Sequence, residues 1–183
     1  MKKVPLSFFN RPALVVAKEL IGCYLVTTTP EGTGKFLITE TEAYVGPHDQ
    51  ASHAFKGRTK RTEVMYQAPG TIYVYLIYGI HNMLNIVTDK KDYPAAVLIR
   101  AIENEDEVIT GPGKVTKRLH VDRLMNNKIL GKESNLWVEM ETSTSALAVA
   151  RQGRKIIKTP RIGIAYAGPI WSQKNYRFVL KNP

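Results

Sequence analysis

Cysteine is nearly absent from this sequence. Cys23 is the only cysteine in 183 residues, so the chain can form no internal disulfide and no thiolate cluster for zinc. A reducing compartment is therefore expected. Long apolar runs are missing as well. Nothing approaches the roughly 18 consecutive apolar residues of a membrane helix, and Asn10, Arg11 and Pro12 interrupt the stretch after the basic start before a signal-peptide core can form. These absences predict a cytoplasmic protein without membrane contact. Gly111-Pro112-Gly113-Lys114 lacks the glycine spacing and following hydroxyl of a phosphate-binding P-loop, and no Gly-x-Ser-x-Gly elbow offers a serine nucleophile. His48 and His53 flank Asp49 without a further spaced ligand, so no metal and no cofactor are predicted. No repeat, low-complexity tract or linker divides the chain. A single domain over residues 1–183 is expected, long enough to bury one core.

The sequence is rich in positive charge. Lys and Arg number 26 against 16 Asp and Glu, a net charge of +10. Much of it gathers in residues 56–61, 114–123 and 151–161. Clusters of this kind suit a nucleic-acid partner, although a solvated basic face would look the same.

The hydrophobic pattern predicts an α+β domain around a largely antiparallel sheet. Asn10 and Pro12 suit the start of a helix with Leu14, Val15, Leu20 and Ile21 on its apolar side, and Gly22 stops it. A hairpin follows, with strands at residues 23–28 and 35–45 around a turn at 30–34. Residues 46–70 lack both periods and read as a long loop with short helical pieces. Strands are expected at 71–78, 83–88, 95–102, 136–140 and 176–180, with a turn at 79–82 and a short basic helix at 114–121.

Two features stand out against this background. Period-2 alternation puts Glu40, Glu42 and Tyr44 on one face with Phe36 and Ile38. A carboxylate so placed points toward a core or a pocket, where apolar walls raise its pKa into the range of a general base and a nearby cation lowers it. A wet face with two solvated acids fits the alternation too. The other feature is Thr71-Ile72-Tyr73-Val74-Tyr75-Leu76-Ile77-Tyr78. Core packing accounts for Tyr73 and Tyr75 as well as any binding role does. Tyr78 and Ile80 fall at the turn, where an aromatic and an aliphatic form a wedge able to unstack a base step.

The blocks Glu40-Thr41-Glu42-Ala43-Tyr44-Val45-Gly46-Pro47, Ala51-Ser52-His53, Pro69-Gly70-Thr71, Tyr78-Gly79 and Asn85-Ile86 occur in this order. They continue into Val97-Leu98-Ile99-Arg100-Ala101, Gly111-Pro112-Gly113-Lys114 and Thr159-Pro160-Arg161-Ile162-Gly163-Ile164. Together they closely resemble the alkyladenine DNA glycosylase family, the mammalian-type 3-methyladenine DNA glycosylases, and suggest a bacterial member. The resemblance implies a curved antiparallel sheet with a protruding β-hairpin that enters the DNA minor groove. It implies that Glu42 activates water with help from Arg100, and that Tyr44, His53 and Tyr75 form the pocket for a flipped base. It further implies that Asn85 crowds the amino group of normal guanine and that Tyr78, with Ile80 beside it, intercalates into the duplex. The expected partner is double-stranded DNA containing alkylated or deaminated purines such as 3-methyladenine, 7-methylguanine, hypoxanthine and ethenoadenine. The product would be an abasic site without strand cleavage, made by a monomer associated with the nucleoid. Ile80 stands where the mammalian relatives carry methionine, and their long N-terminal extension is absent. Read from the residues alone, two other classes stay open. One is a damaged-DNA or RNA-binding module without catalysis, and the other a lyase using a lysine amine.

Overall fold

The strand β3 (Gly32–Val45) organises the molecule because at 14 residues it outlasts each of its neighbours. The computed structural model describes residues 1–140 and 153–181. Arg151, the first member of the third basic cluster, lies outside them. The N-terminal half of β3 pairs with β2 (Tyr24–Thr29), and its C-terminal half offers the same edge to β10 (Arg177–Lys181). On its other edge lies β6 (Ala95–Glu103), followed by β5 (His81–Thr88) and β4 (Ile72–Ile77). Shorter strands complete the sheet. β1 (Lys2–Lys3) pairs with β8 (Leu136–Met140), which joins β2, while β7 (Val108–Thr110) joins β6 and β9 (Lys155–Thr159) joins β10. Every pairing among the described residues is antiparallel. The fold is a single-domain α+β structure, as the pattern of elements predicts.

The helix α1 (Ala13–Leu20) buries Ala13, Val16, Ala17 and Leu20 against the sheet. The expected apolar side is rotated, since Val15 is exposed and Asn10 closes a preceding 3-10 turn instead of capping α1. Pro12 holds the N-cap position. Its ring disfavours helical geometry in Arg11, so a helix begun at Asn10 would break at once. A second helix, α2 (Pro112–Arg118), sends Val115 into the same core, and a third, α3 (Gly168–Ser172), lies near the C-terminus.

Alternation sorts the central strands into two faces. Ile72, Val74, Leu84, Ile86, Val97 and Ile99 enter the main core with α1. Tyr73, Val87 and Ala96 face the other way, against Ala54, Val64 and Met65 of the long loop. That loop contains two short 3-10 helices, His53–Lys56 and Glu63–Tyr66, as expected of residues 46–70.

The predicted face of β3 requires correction. Phe36 and Ile38 belong to the main core, but so does Ala43, and the Thr41 hydroxyl donates to Ala17 O at 2.8 Å. The alternation switches sides between Ile38 and Thr41. Pairing with β6 runs Ile38 to Ile102, Glu40 to Ala101 and Thr41 to Ile99. Thr39 is thus one residue extra on β3, and Arg100 one residue extra on β6. Paired bulges re-aim side chains without ending the sheet. Here they turn Glu40, Glu42 and Tyr44 away from α1 while Arg100 swings toward the same face.

Candidate active site

Glu42 is completely buried in the middle of the sheet. Its Oε1 accepts the Ile162 backbone N–H at 2.8 Å, and its Oε2 accepts the Tyr44 hydroxyl at 3.0 Å. Arg100 Nε lies 3.4 Å from Oε1. The same Nε donates to Glu40 Oε1 at 3.1 Å, and Arg177 donates to that oxygen at 2.8 Å. Glu40 is therefore held between two arginines, whereas Glu42 shares only one of them. Burial raises the Glu42 carboxyl above its ordinary value of 4.5, and Arg100, the Ile162 N–H and the Tyr44 hydroxyl work against that rise without cancelling it. A carboxyl tuned upward near a cation is a common feature of general bases.

Around Tyr44 the walls are aromatic. A small pocket of about 30 Å³ is lined by Tyr44, His53, Tyr73, Tyr75, Asn85 and Tyr166, among others. An open cleft of about 470 Å³ shares Tyr44, His53, Tyr75 and Tyr166 with it and also reaches Arg100 and Tyr78. His53 and Tyr75 meet edge to face at 4.5 Å between centroids. Asn85 is buried, and its side-chain amide donates to Tyr73 O at 3.3 Å and Met83 O at 3.2 Å, which fixes the amide's orientation.

The hydrogen bonds also fix the His53 tautomer. Nε2 faces Arg61 Nη2 at 3.3 Å, and a guanidinium has only donors, so Nε2 accepts. Nδ1 then carries the proton and donates to the Tyr73 hydroxyl at 3.1 Å. Burial, and next the charge of Arg61, lower the His53 pKa to about 4. The ring is neutral at ordinary pH. Burial pushes the Tyr73 hydroxyl up to about 12 and that of Tyr44 well above its ordinary value, so these walls are neutral donors.

Six of the residues singled out in the sequence, Glu42, Arg100, Tyr44, His53, Tyr75 and Asn85, surround this pocket or sit directly beneath it. Tyr78 and Ile80 stand apart at the tip of the β4–β5 hairpin, 91% and 73% exposed. The turn comes one residue earlier than expected. Tyr78 and Gly79 both have positive φ, 53° and 74°, and Ile80 N–H closes the turn on Ile77 O at 3.2 Å. Two consecutive left-handed residues match the twist of a tight hairpin, which explains Gly79 and makes a bulky Tyr78 costly there.

Sequence reasoning missed the support beneath the pocket. Asp49 and Arg161, 112 residues apart, form a bidentate pair at 2.6 and 2.9 Å with both side chains fully buried. Asp49 also accepts from Val45 N and Ala51 N, and Arg161 donates to Ala43 O at 2.8 Å. The Arg161 guanidinium lies over the rings of Tyr44 and Tyr176, at 4.8 and 5.3 Å. One pair thereby ties the end of β3 to the segment whose next residue, Ile162, binds Glu42. Asp49 is thus committed to Arg161, His53 to Tyr73, and exposed His48 stands beside Trp171. The basic clusters shrink in the same way. Arg58 pairs with Glu63 and Asp92, Arg118 with Glu107 and Arg154 with Glu103, while Lys56, Lys60, Lys114 and Lys117 remain exposed.

Comparison with known proteins places this arrangement among the DNA glycosylases, hydrolases of the N-glycosidic bond that act in DNA repair. The family model described as methylpurine-DNA glycosylase (MPG) matches residues 7–183, and the chain belongs to that family. Several similar proteins carry the name 3-methyladenine DNA glycosylase. The one from Methanocella arvoryzae is 41% identical over 198 residues, covering 100% of this chain and 94% of its own length. Those from Myxococcus xanthus and Legionella pneumophila (strain Corby) are 42% and 40% identical over 187 residues, covering all of this chain and 92% and 96% of their own. No helix among the described residues is long and apolar enough to cross a membrane.

Proposed function

We propose that this enzyme turns an alkylated or deaminated purine out of duplex DNA into the aromatic pocket and uses Glu42 as the base that activates water against the sugar C1′. The fully buried carboxylate under Tyr44 carries the reading. Glu42 has no exposure in the free protein, so the Tyr44 and Ile162 contacts that cover its carboxylate must give way before it reaches water. Arg100, 3.4 Å from Oε1, helps hold that water and keeps enough of the carboxyl ionised to accept a proton. The departing base leaves an oxocarbenium-like sugar, which the Glu42 carboxylate stabilises electrostatically.

The neutral walls suit such a base. Tyr44, His53 and Tyr75 offer faces and edges for stacking, worth about 1–3 kcal/mol per base. Flipping itself costs a few kcal/mol, least where the base is damaged or mispaired, so part of the selectivity precedes any pocket contact. We assign 3-methyladenine, 7-methylguanine, hypoxanthine and ethenoadenine to the substrate set, with buried Asn85 crowding the amino group of normal guanine. Tyr78 fills the gap in the stack with Ile80 beside it, and exposed lysines meet phosphates on either side. Neither step calls for a second copy of the chain, and the enzyme acts as a monomer.

The test is excision by Glu42→Gln. Gln keeps the shape and can turn its carbonyl toward Ile162 N–H and its NH₂ toward Tyr44 O, so the fold should survive. Loss of a general base predicts a fall of about 10²–10⁴-fold in single-turnover excision of hypoxanthine from duplex DNA. Excision within tenfold of wild type would sink the assignment.

A further inference from the structure

We propose that Arg61 guards the base site: in the free protein its guanidinium stands against the His53 edge and over the Tyr75 face, in the cleft that a flipped purine would enter, and it withdraws onto a backbone phosphate when the nucleotide enters. The inference rests on the pocket reading above. Arg61 donates to His53 Nε2 at 3.3 Å and lies 5.6 Å above the centre of the Tyr75 ring. It thus covers the face and the edge that a purine would use. The small pocket beside it, about 30 Å³, is far too small for a purine. A base must take space in the cleft that a side chain now crosses.

Arg61 also differs from its neighbours in what it binds. Arg58, Arg118, Arg154 and Arg161 each have a carboxylate partner. Among the described residues Arg61 has none, and its side-chain partners are neutral, the His53 imidazole and the Tyr73 hydroxyl. A guanidinium held only by neutral groups and a ring face is easily drawn to an anion. Its backbone, by contrast, is anchored. Thr62 N–H donates to Thr59 O at 3.0 Å, the Thr62 hydroxyl to Gly57 O at 3.0 Å, and Thr59 N–H to Thr62 Oγ1 at 2.8 Å. The side chain therefore swings from a fixed point. Charge gives the motion its direction, because a cation left in the pocket would repel a purine carrying positive charge, while the entering nucleotide brings a phosphate with it.

The experiment compares Glu42→Gln with Glu42→Gln/Arg61→Gln for binding to a hypoxanthine duplex and to the same duplex undamaged, as a function of salt. One phosphate contact is worth about 0.9 in the slope of log affinity against log salt. The expected result is a slope about one unit shallower on the damaged duplex alone, restored by Arg61→Lys, because only a flipped nucleotide draws the guard out. The His53 pKa in free Arg61→Gln should rise from about 4. Any other slope pattern overturns the proposal, including equal loss on both duplexes, which would make Arg61 a constant phosphate contact, or no loss on either. An unmoved His53 pKa overturns it too. Failure of the wild type to excise hypoxanthine or 3-methyladenine would instead count against the pocket reading itself.

Discussion

Asp49→Asn should be among the most damaging single substitutions in this protein. The carboxylate takes four hydrogen bonds, from Val45 N, Ala51 N and both terminal nitrogens of Arg161, with no exposed side-chain surface on either partner. Asn replaces one acceptor with a donor, and at least one Arg161 N–H then faces another N–H. Removing one member of a buried pair typically costs about 3–5 kcal/mol, because the remaining charge stays buried without compensation. At about 2–4 °C per kcal/mol for a chain of this size, Tm should fall by roughly 6–20 °C. Arg161→Met should cost less. Asp49 would then keep two backbone N–H donors, whereas Arg161 without Asp49 keeps only Ala43 O and the faces of Tyr44 and Tyr176. Denaturant unfolding of both single variants and the double gives the coupling energy, expected to exceed about 2 kcal/mol. Single losses below about 1 kcal/mol that add within about 0.5 kcal/mol would refute the reasoning, since independent sites behave in that way.

Other consequences follow from the same site. Since the Glu42 pKa is raised, folding penalises its ionised form, and this cost is present above the folded pKa and absent below the unfolded one. The stability of Glu42→Gln relative to wild type should therefore grow as pH rises from about 4 toward 7, by about 1.4 kcal/mol for each tenfold by which folding weakens the acid; a flat difference would show the carboxyl to be unperturbed. The acid limb of wild-type excision should lie above pH 4.5, the ordinary carboxyl value. His53 is lowered from 6.5 to about 4, so protonation of the unfolded chain should withdraw about 3 kcal/mol of stability as pH falls between those values. His53→Gln should lose that dependence in a pH series of melts. Tyr78, 91% exposed, contributes little to stability, so Tyr78→Ala should change it by no more than about 0.5 kcal/mol while weakening binding to abasic duplex. Tyr78→Asn relieves the positive φ and should hold the hairpin at least as firmly without restoring that binding, as paired melting and binding curves would report.

The sequence made the long strands legible because their signals are local. β8 runs over Leu136–Met140 as expected, and β5 and β6 extend only one or two residues beyond their expected ends. Two-residue β1 and three-residue β7 are too short to show a period, and β9, reading Lys-Ile-Ile-Lys-Thr, has no alternation that marks a half-buried strand. These elements exist because an existing edge accepts them. The helix start failed for a different reason. Asn10 has cap chemistry, but Pro12 two residues later dictates where helical geometry can begin.

The bulges show why the site was harder to read than the sheet. Neither Thr39 nor Arg100 is a glycine, and nothing in the local pattern marks them as extra residues; only the pairing of β3 with β6 does so. Strict alternation would have left Glu40 and Glu42 beside Phe36 and Ile38, in the core against α1, where a carboxylate finds no cation. With the switch, the one strand can bury Phe36, Ile38 and Ala43 on the side of α1 and still present Glu42 to Arg100 and Ile162 on the other. Arg100 reaches both acids because it is itself the bulged residue of β6. The sheet and the catalytic geometry are thus solved by one local irregularity. Deleting Thr39 should consequently leave both in place: with the extra residue gone, Ile38 and Glu40 become neighbours, and plain alternation still sends Thr41 and Ala43 toward α1 and Glu40 and Glu42 toward Arg100, so the variant should fold with Glu42 on the pocket side; a variant that folds with Glu42 turned into the α1 core would refute the bulge reading.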